Sequence, residues 1–173
     1  AMIKELYAIA ERSWQEHGRE GKPRLLSLEY FALGDDAETR VQEPQLGTGH
    51  AVQQAEEPLG DFTGDVLVLY GDVPFVRGET MQAMLDRLHA EDAPKVVVLG
   101  FEPEDALAYG RVIADDEGRI SKMVEFKDAT EEERACTLCN SGLMAARAQD
   151  MFDLLRRVGN DNAQGEYYLP DIV

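Results

Sequence analysis

The chain has 173 residues, 44% of them hydrophobic and 29% charged, which describes one globular domain able to bury a core and excludes a disordered or fibrous chain. Its formal net charge of −17 repels phosphate backbones and anionic lipid heads, so no nucleic acid or membrane partner is expected. No apolar run reaches the ~20 residues of a membrane span, no basic-then-apolar leader opens the chain, and two cysteines are too few for a disulfide scaffold, so a cytoplasmic location is expected.

In chain order, Met2, Ile3, Leu6, Ile9, Ala10 and Trp14 place an apolar stripe on one face of a helix, which Gly18, Gly21 and Pro23 end. Residues 25–33 mix apolar and β-favouring side chains and read as a strand. Next comes Gln42-Glu43-Pro44-Gln45-Leu46-Gly47-Thr48-Gly49-His50, leading into a first helical turn at residues 51–55. Glycines there let a ligand approach backbone N–H groups, and Gln42 and Gln45 can each donate and accept toward a base edge. The pattern has neither the lysine of a P-loop nor the spacing of a dinucleotide fingerprint. The structural alternative is a helix N-cap at Thr48, with glycine serving the turn.

Val66-Leu67-Val68-Leu69-Tyr70 reads as a strand buried on both faces, with Gly71-Asp72-Val73-Pro74 as the loop at its carboxyl end. Helical spacing follows at Met81, Met84, Leu85 and Leu88, then a second buried strand at residues 95–101. This strand–helix–strand rhythm predicts an α/β fold with a mostly parallel, Rossmann-like sheet flanked by helices. Ligands of such sheets bind beyond the carboxyl ends of the strands, so Asp72 is a candidate Mg²⁺ ligand for phosphate chemistry. The alternative is a loop carboxylate capping its own turn.

Residues 111–114, a turn at 115–118 and residues 120–126 form an inserted hairpin. Residues 140–146 read as a core strand, and Met151, Phe152, Leu154 and Leu155 as a helix face. Glu131-Glu132-Glu133 suits a helix start, where carboxylates favour the dipole. Cys136 and Cys139 make a lone C-x-x-C, without the further ligands zinc wants, and read as structural thiols. His17 and His89 read as surface or capping residues, while His50 stands in the glycine loop within reach of a ligand.

Six segments occur in order: Gln45-Leu46-Gly47-Thr48-Gly49-His50-Ala51, Tyr70-Gly71-Asp72-Val73-Pro74, Tyr109-Gly110-Arg111, Val124-Glu125-Phe126-Lys127-Asp128-Ala129-Thr130, Asn140-Ser141-Gly142 and Asn162-Ala163-Gln164-Gly165-Glu166-Tyr167-Tyr168. The series resembles the N-terminal uridyltransferase (pyrophosphorylase) domain of the bifunctional N-acetylglucosamine-1-phosphate uridyltransferase and glucosamine-1-phosphate acetyltransferase family, GlmU. That resemblance implies a nucleotide-diphospho-sugar transferase-like fold whose hairpin belongs to a sugar-binding lobe. The implied reaction is attack of N-acetylglucosamine 1-phosphate on the α-phosphate of UTP, giving UDP-N-acetylglucosamine and pyrophosphate for cell-wall and lipopolysaccharide precursors. Carried over position by position, Gln42, Gly47 and Thr48 would read uracil. Tyr70, Gly71 and Asp72 would floor the site, Asp72 binding Mg²⁺ as the catalytic carboxylate. Gly110, Glu125 and Asn140 would read the sugar.

The sequence also departs from the family. The glycine-rich triphosphate loop with its lysine has no counterpart here, residues 12–31 match poorly, a second metal-binding asparagine falls beyond Val173, and the hexapeptide-repeat acetyltransferase half is absent. Residues 1–173 are therefore expected to be a partial nucleotidyltransferase domain, either part of a longer enzyme or a genuinely truncated relative. Alone, the chain is expected to be nearly or wholly inactive, and a monomer or weak dimer rather than the family's homotrimer. The rival readings are a pyrophosphorylase for another sugar or base, and a non-catalytic sugar-nucleotide-binding module.

Overall fold

The computed structural model describes residues 43–71, 73 and 75–173. The helix expected over residues 2–16 and the strand expected over residues 25–33 lie outside that set, as do His17, Gln42 and Asp72. The described elements are α1 (Thr48–Gln53), α2 (Glu56–Leu59), β1 (Asp65–Val68), α3 (Gly78–Leu88), β2 (Val96–Phe101), β3 (Arg111–Ala114), β4 (Ile120–Val124), α4 (Glu131–Arg134), β5 (Cys139–Arg147), α5 (Ala148–Leu155) and a closing 3₁₀ turn (Leu169–Ile172). No helix among the described residues is long and apolar enough to cross a membrane.

Strand β5 organises the sheet. Leu143, Met144, Ala145 and Ala146 are all fully buried, as a strand covered on both faces must be. Alternation sends Met144 and Ala146 to one side, where they join Val68, Val52, Met151, Phe152, Leu155 and Ile172. Leu143 and Ala145 face the other side and pack with Met84 and Leu88 of α3, beside Leu67, Val97 and Leu99. Helices therefore cover both faces, with α1, α5 and the 3₁₀ turn on one and α3 on the other.

Among the described residues the pairing differs from the mostly parallel sheet that the strand–helix–strand rhythm predicts. β1 and β2 run in the same direction, but β5 lies between them and pairs antiparallel with each, setting Val68 and Val98 on either side of Met144. Every ladder among the described residues is antiparallel. An apolar run reports burial on two faces. It carries no information on which strand lies alongside, and β5 is as apolar as the two strands it separates.

The inserted hairpin forms as read, β3 pairing with β4 from Arg111↔Val124 to Ala114↔Ile120. Asp115 closes it: its carboxylate accepts from the N–H groups of Glu117 (3.1 Å) and Arg119 (2.8 Å), and Gly118 takes the positive φ (77°) of the turn. The hairpin joins the body through Arg111↔Cys139 at the start of β5. One edge of β5 is thus met by β3 at Cys139 and by β1 only from Met144 onward. Between them the edge is split, and the split lies at Asn140-Ser141-Gly142.

Candidate functional site

Within the split, β5 bulges. Its register against β2 jumps between Val98 and Gly100, and Gly142 adopts φ 81°. The Ser141 hydroxyl donates to Leu99 O and accepts from Leu143 N–H (3.2 Å). The Asn140 side-chain carbonyl accepts from Gly142 N–H (2.9 Å), which commits one end of that amide and leaves its NH₂ donor uncommitted among the described residues.

Tyr70, just past the end of β1, lays its ring over the bulge. A Cβ built on Gly142 would stand 2.6 Å from Tyr70 Cε2, so only glycine admits the ring. Gly110, leading into β3, accepts from Asn140 N–H through its carbonyl (2.9 Å). Glu125, just past β4, sets its carboxylate against Gly110, 3.3 Å from the place of a Cβ there. Tyr70, Gly110, Glu125 and Asn140 come from four separate stretches of chain and meet around one break in the sheet. Gly71 follows Tyr70 into the same loop. Asp72, nominated to bind metal there, lies outside the described residues.

The electrostatics of this corner are unusual for a protein surface. Burial pushes the Glu125 carboxyl above its ordinary range, and the charges of Asp171 and Asp128 push it further, opposed by Lys127. Asp171 is raised by burial and by Asp128. The Tyr168 hydroxyl is buried with no hydrogen-bond partner among the described residues, and burial together with the surrounding Asp128, Glu166, Glu125 and Asp171 holds it in its neutral, donating form. Carboxyls held near one another and a hydroxyl left unpaired cost stability, a pattern typical of sites that await a ligand.

The glycine loop is arranged differently. The helix N-cap is Gly47 rather than Thr48, which is the first helical residue. The Thr48 hydroxyl accepts from Leu169 N–H (2.9 Å), Gly49 N–H donates to Tyr167 O (2.8 Å) and Tyr167 N–H donates to Leu46 O (2.8 Å). A Cβ on Gly47 would fall 2.7 Å from Tyr167 O, at a φ of 106°. The glycines admit a neighbouring segment of this chain, residues 166–169, so the backbone approach expected of a ligand is made by the protein itself. His50 bonds through its carbonyl to the Gln54 side chain (3.0 Å) and packs toward the Tyr167 ring.

The segment holding Tyr168 is tied back to the hairpin lobe. Asn162 accepts from Gln164 and Glu166 N–H groups, Ala163 N–H donates to Asp128, and Lys127 donates to Gln164. The sequence reading passed over Gly142 and Arg111 as site residues. A lone glycine inside a strand pattern marks a bulge or a close approach, and that signal was present in Asn140-Ser141-Gly142. Tyr168 carries no comparable local signal.

Other candidates find structural roles. Cys136 and Cys139 are free thiols, Cys139 buried and pushed up by that burial. Glu131–Glu133 start α4 through a capping box with Thr130. His89 caps α3 and pairs with Asp65 (2.8 Å). Among the described residues no cluster of three or more His, Cys, Asp or Glu could hold a metal ion. A groove of about 600 Å³ lined by Glu102, Val112, Glu132, Glu133, Cys136 and neighbours shares no residue with the site, and its lining offers no cation to an anionic ligand.

Comparison with known proteins gives consistent results. A family model described as nucleotidyl transferase matches residues 16–164. The chain is 66% identical over 157 residues to the bifunctional protein GlmU of Novosphingobium aromaticivorans, covering 91% of the chain and 33% of that relative. It is 69% identical over 142 residues to GlmU of Sphingopyxis alaskensis, covering 82% and 31%. The chain thus spans about a third of the length of the curated relatives it matches. A crystal structure of UDP-glucose pyrophosphorylase complexed with UDP-glucose shares the fold with a TM-score of 0.59 at 19% identity, over 78% of this chain and 52% of the other.

Proposed function

Because the chain belongs to the nucleotidyl transferase family, we propose that the protein carrying it transfers a uridyl group from UTP to N-acetylglucosamine 1-phosphate, yielding UDP-N-acetylglucosamine and pyrophosphate. The observation that carries this reading is the meeting of Tyr70, Gly110, Glu125 and Asn140 at the split edge of β5. A sugar offers hydroxyls as donors and acceptors along its rim. Glu125 supplies an acceptor, the Gly110 backbone and the Asn140 amide supply donors, and the Tyr70 ring supplies an apolar floor. An acetamide on the sugar would be read through polar groups that a plain hexose leaves unpaired.

Nucleotidyl transfer asks little covalent help of the protein. It needs two anions held in line and their charge neutralised. In a chain of net charge −17 a divalent metal is suited to the second task. Asp72, two positions past Tyr70, would hold Mg²⁺, which when bound neutralises and orients the phosphates. Gln42, Gly47 and Thr48 would lie against the uracil. The Thr48 hydroxyl, already accepting from Leu169 N–H, keeps its own proton for donation.

The test is pyrophosphate release by the full-length protein with UTP and Mg²⁺, comparing N-acetylglucosamine 1-phosphate with glucose 1-phosphate. Turnover that favours the N-acetylated sugar and falls about 1,000-fold in Asp72→Asn is expected. Equal use of both sugars would move the reading to another pyrophosphorylase. Tight binding of UDP-N-acetylglucosamine without turnover would make the domain a binding module.

A further inference from the structure

Arg111 is 3% exposed, the one charged side chain buried among the described residues. Such a residue ordinarily sits against a carboxylate. Here its guanidinium meets main-chain carbonyls instead: Nη1 donates to Tyr109 O and Ala106 O (3.3 Å), Nη2 to Leu107 O (3.2 Å) and Nε to Arg134 O (3.3 Å). Three of those four carbonyls belong to the loop 106–109 that delivers Gly110 to the site. That loop holds Leu107 at φ 37°, a left-handed conformation that side chains resist. Asp105 accepts from Leu107 N–H (3.0 Å) and Ala106 O from Tyr109 N–H (3.1 Å), and the convergence of three of the loop's carbonyls on one cation adds to that turn.

The same guanidinium lies over the Phe126 ring, 5.5 Å from its centroid, and Arg134 lies 4.5 Å from the same centroid while its Nε donates to Phe126 O (3.1 Å). Phe126 follows Glu125 directly. One buried cation therefore fixes both sides of the Gly110–Glu125 pair, the first through a strained loop and the second through an aromatic ring.

The geometry points to Arg111 as the positioning residue of the sugar subsite, acting on the sugar phosphate through Gly110 and Glu125 without touching it. This rests on the uridyl-transfer reading above. It predicts an asymmetric effect: the sugar side of the reaction depends on Arg111 and the nucleotide side does not. A residue that only stabilises the fold would affect both substrates alike.

The experiment measures Arg111→Lys and Arg111→Met in the full-length protein, with separate KM values for N-acetylglucosamine 1-phosphate and UTP and a thermal melt for each variant. Arg111→Met should raise KM for the sugar phosphate about 30-fold with KM for UTP within about twofold, and Arg111→Lys, keeping the charge without the planar fork, should recover part of the loss. Equal shifts in both KM values, or none, would overturn the assignment. If neither variant folds, Phe126→Leu leaves Arg111 in place and thins the ring beneath it. A selective rise of about threefold in sugar-phosphate KM is then expected, and a parallel change in both overturns the assignment. Absence of uridyl transfer in the unaltered protein would take down the functional reading and this inference with it, whereas an active protein whose variants show no split would remove this inference alone.

Discussion

The two glycine-bearing corners of this molecule look alike in sequence and differ in what they leave undone. At Gly47-Thr48-Gly49 every described polar contact is made within the chain: the hydroxyl accepts from Leu169, the backbone bonds to Tyr167, and both glycines exist to admit residues 166–169. At Gly110, Glu125, Asn140 and Gly142 the backbone is equally well fixed, but the side chains stay unresolved. Among the described residues a carboxyl is raised by burial and like charge, an amide keeps its donor, and a neighbouring tyrosine hydroxyl has no partner. The first corner is closed by the chain's own contacts. The second tolerates local instability, in keeping with the sugar-binding role proposed for it.

The comparison breaks if stability and activity do not separate between the corners. Gly47→Ala adds a Cβ against a backbone oxygen at 2.7 Å, at φ 106°, where nothing can give. It should cost about 3 kcal/mol, roughly 10 °C in Tm, measured by thermal melting, and any loss of turnover beyond the unfolded fraction should appear as a raised KM for UTP with KM for the sugar phosphate unchanged. Gly142→Ala strains a backbone at φ 81° and adds its Cβ against the Tyr70 ring, which must swing aside from the bulge, whereas the backbone oxygen facing Gly47 cannot. Its melting loss should be about half as large, while turnover at the melting-corrected protein concentration falls about 100-fold because the floor of the site has moved. The reverse ranking would exchange the roles assigned to the two corners.

A subtler effect comes from Glu125→Gln. A carboxyl whose folded pKa is raised contributes stability that is complete below its unfolded value and is lost as pH rises through the folded value. The unaltered protein should therefore lose this contribution on going from acid to neutral pH. The amide variant should not, and should melt about 2 °C higher at pH 7, with the difference vanishing near pH 4. Its KM for the sugar phosphate should rise about tenfold in the same preparation. A variant both less stable at neutral pH and unaffected in KM would make Glu125 an ordinary structural carboxylate.

The sequence made the strands and the hairpin readable, because an apolar run such as Leu143–Ala146 has few alternatives to burial on two faces, although in Val66–Leu69 only Val68 is buried, and the Asp115–Gly118 turn has its own chemistry. It did not reveal that β5 would part β1 from β2, because pairing is decided by tertiary contacts between segments far apart in the chain. Tyr70, Gly110, Glu125 and Asn140 were nominated by resemblance, and no local pattern foretold their meeting. The importance of Gly142 depends on a ring that arrives from residue 70, and an arginine at the head of a strand gives no sign that it will be enclosed by carbonyls.

The position of β5 also constrains how the chain can be assembled during synthesis. β1 and β2 both leave the ribosome before β5, the strand that bonds to each of them among the described residues, and Val68 must wait for Met144. At about 5–20 residues per second that wait lasts several seconds, during which the edges that β5 will cover stay open. The whole hairpin is made in that interval. The hairpin is therefore complete before the described part of the sheet can close, and β5, on emerging, joins both in a single late step.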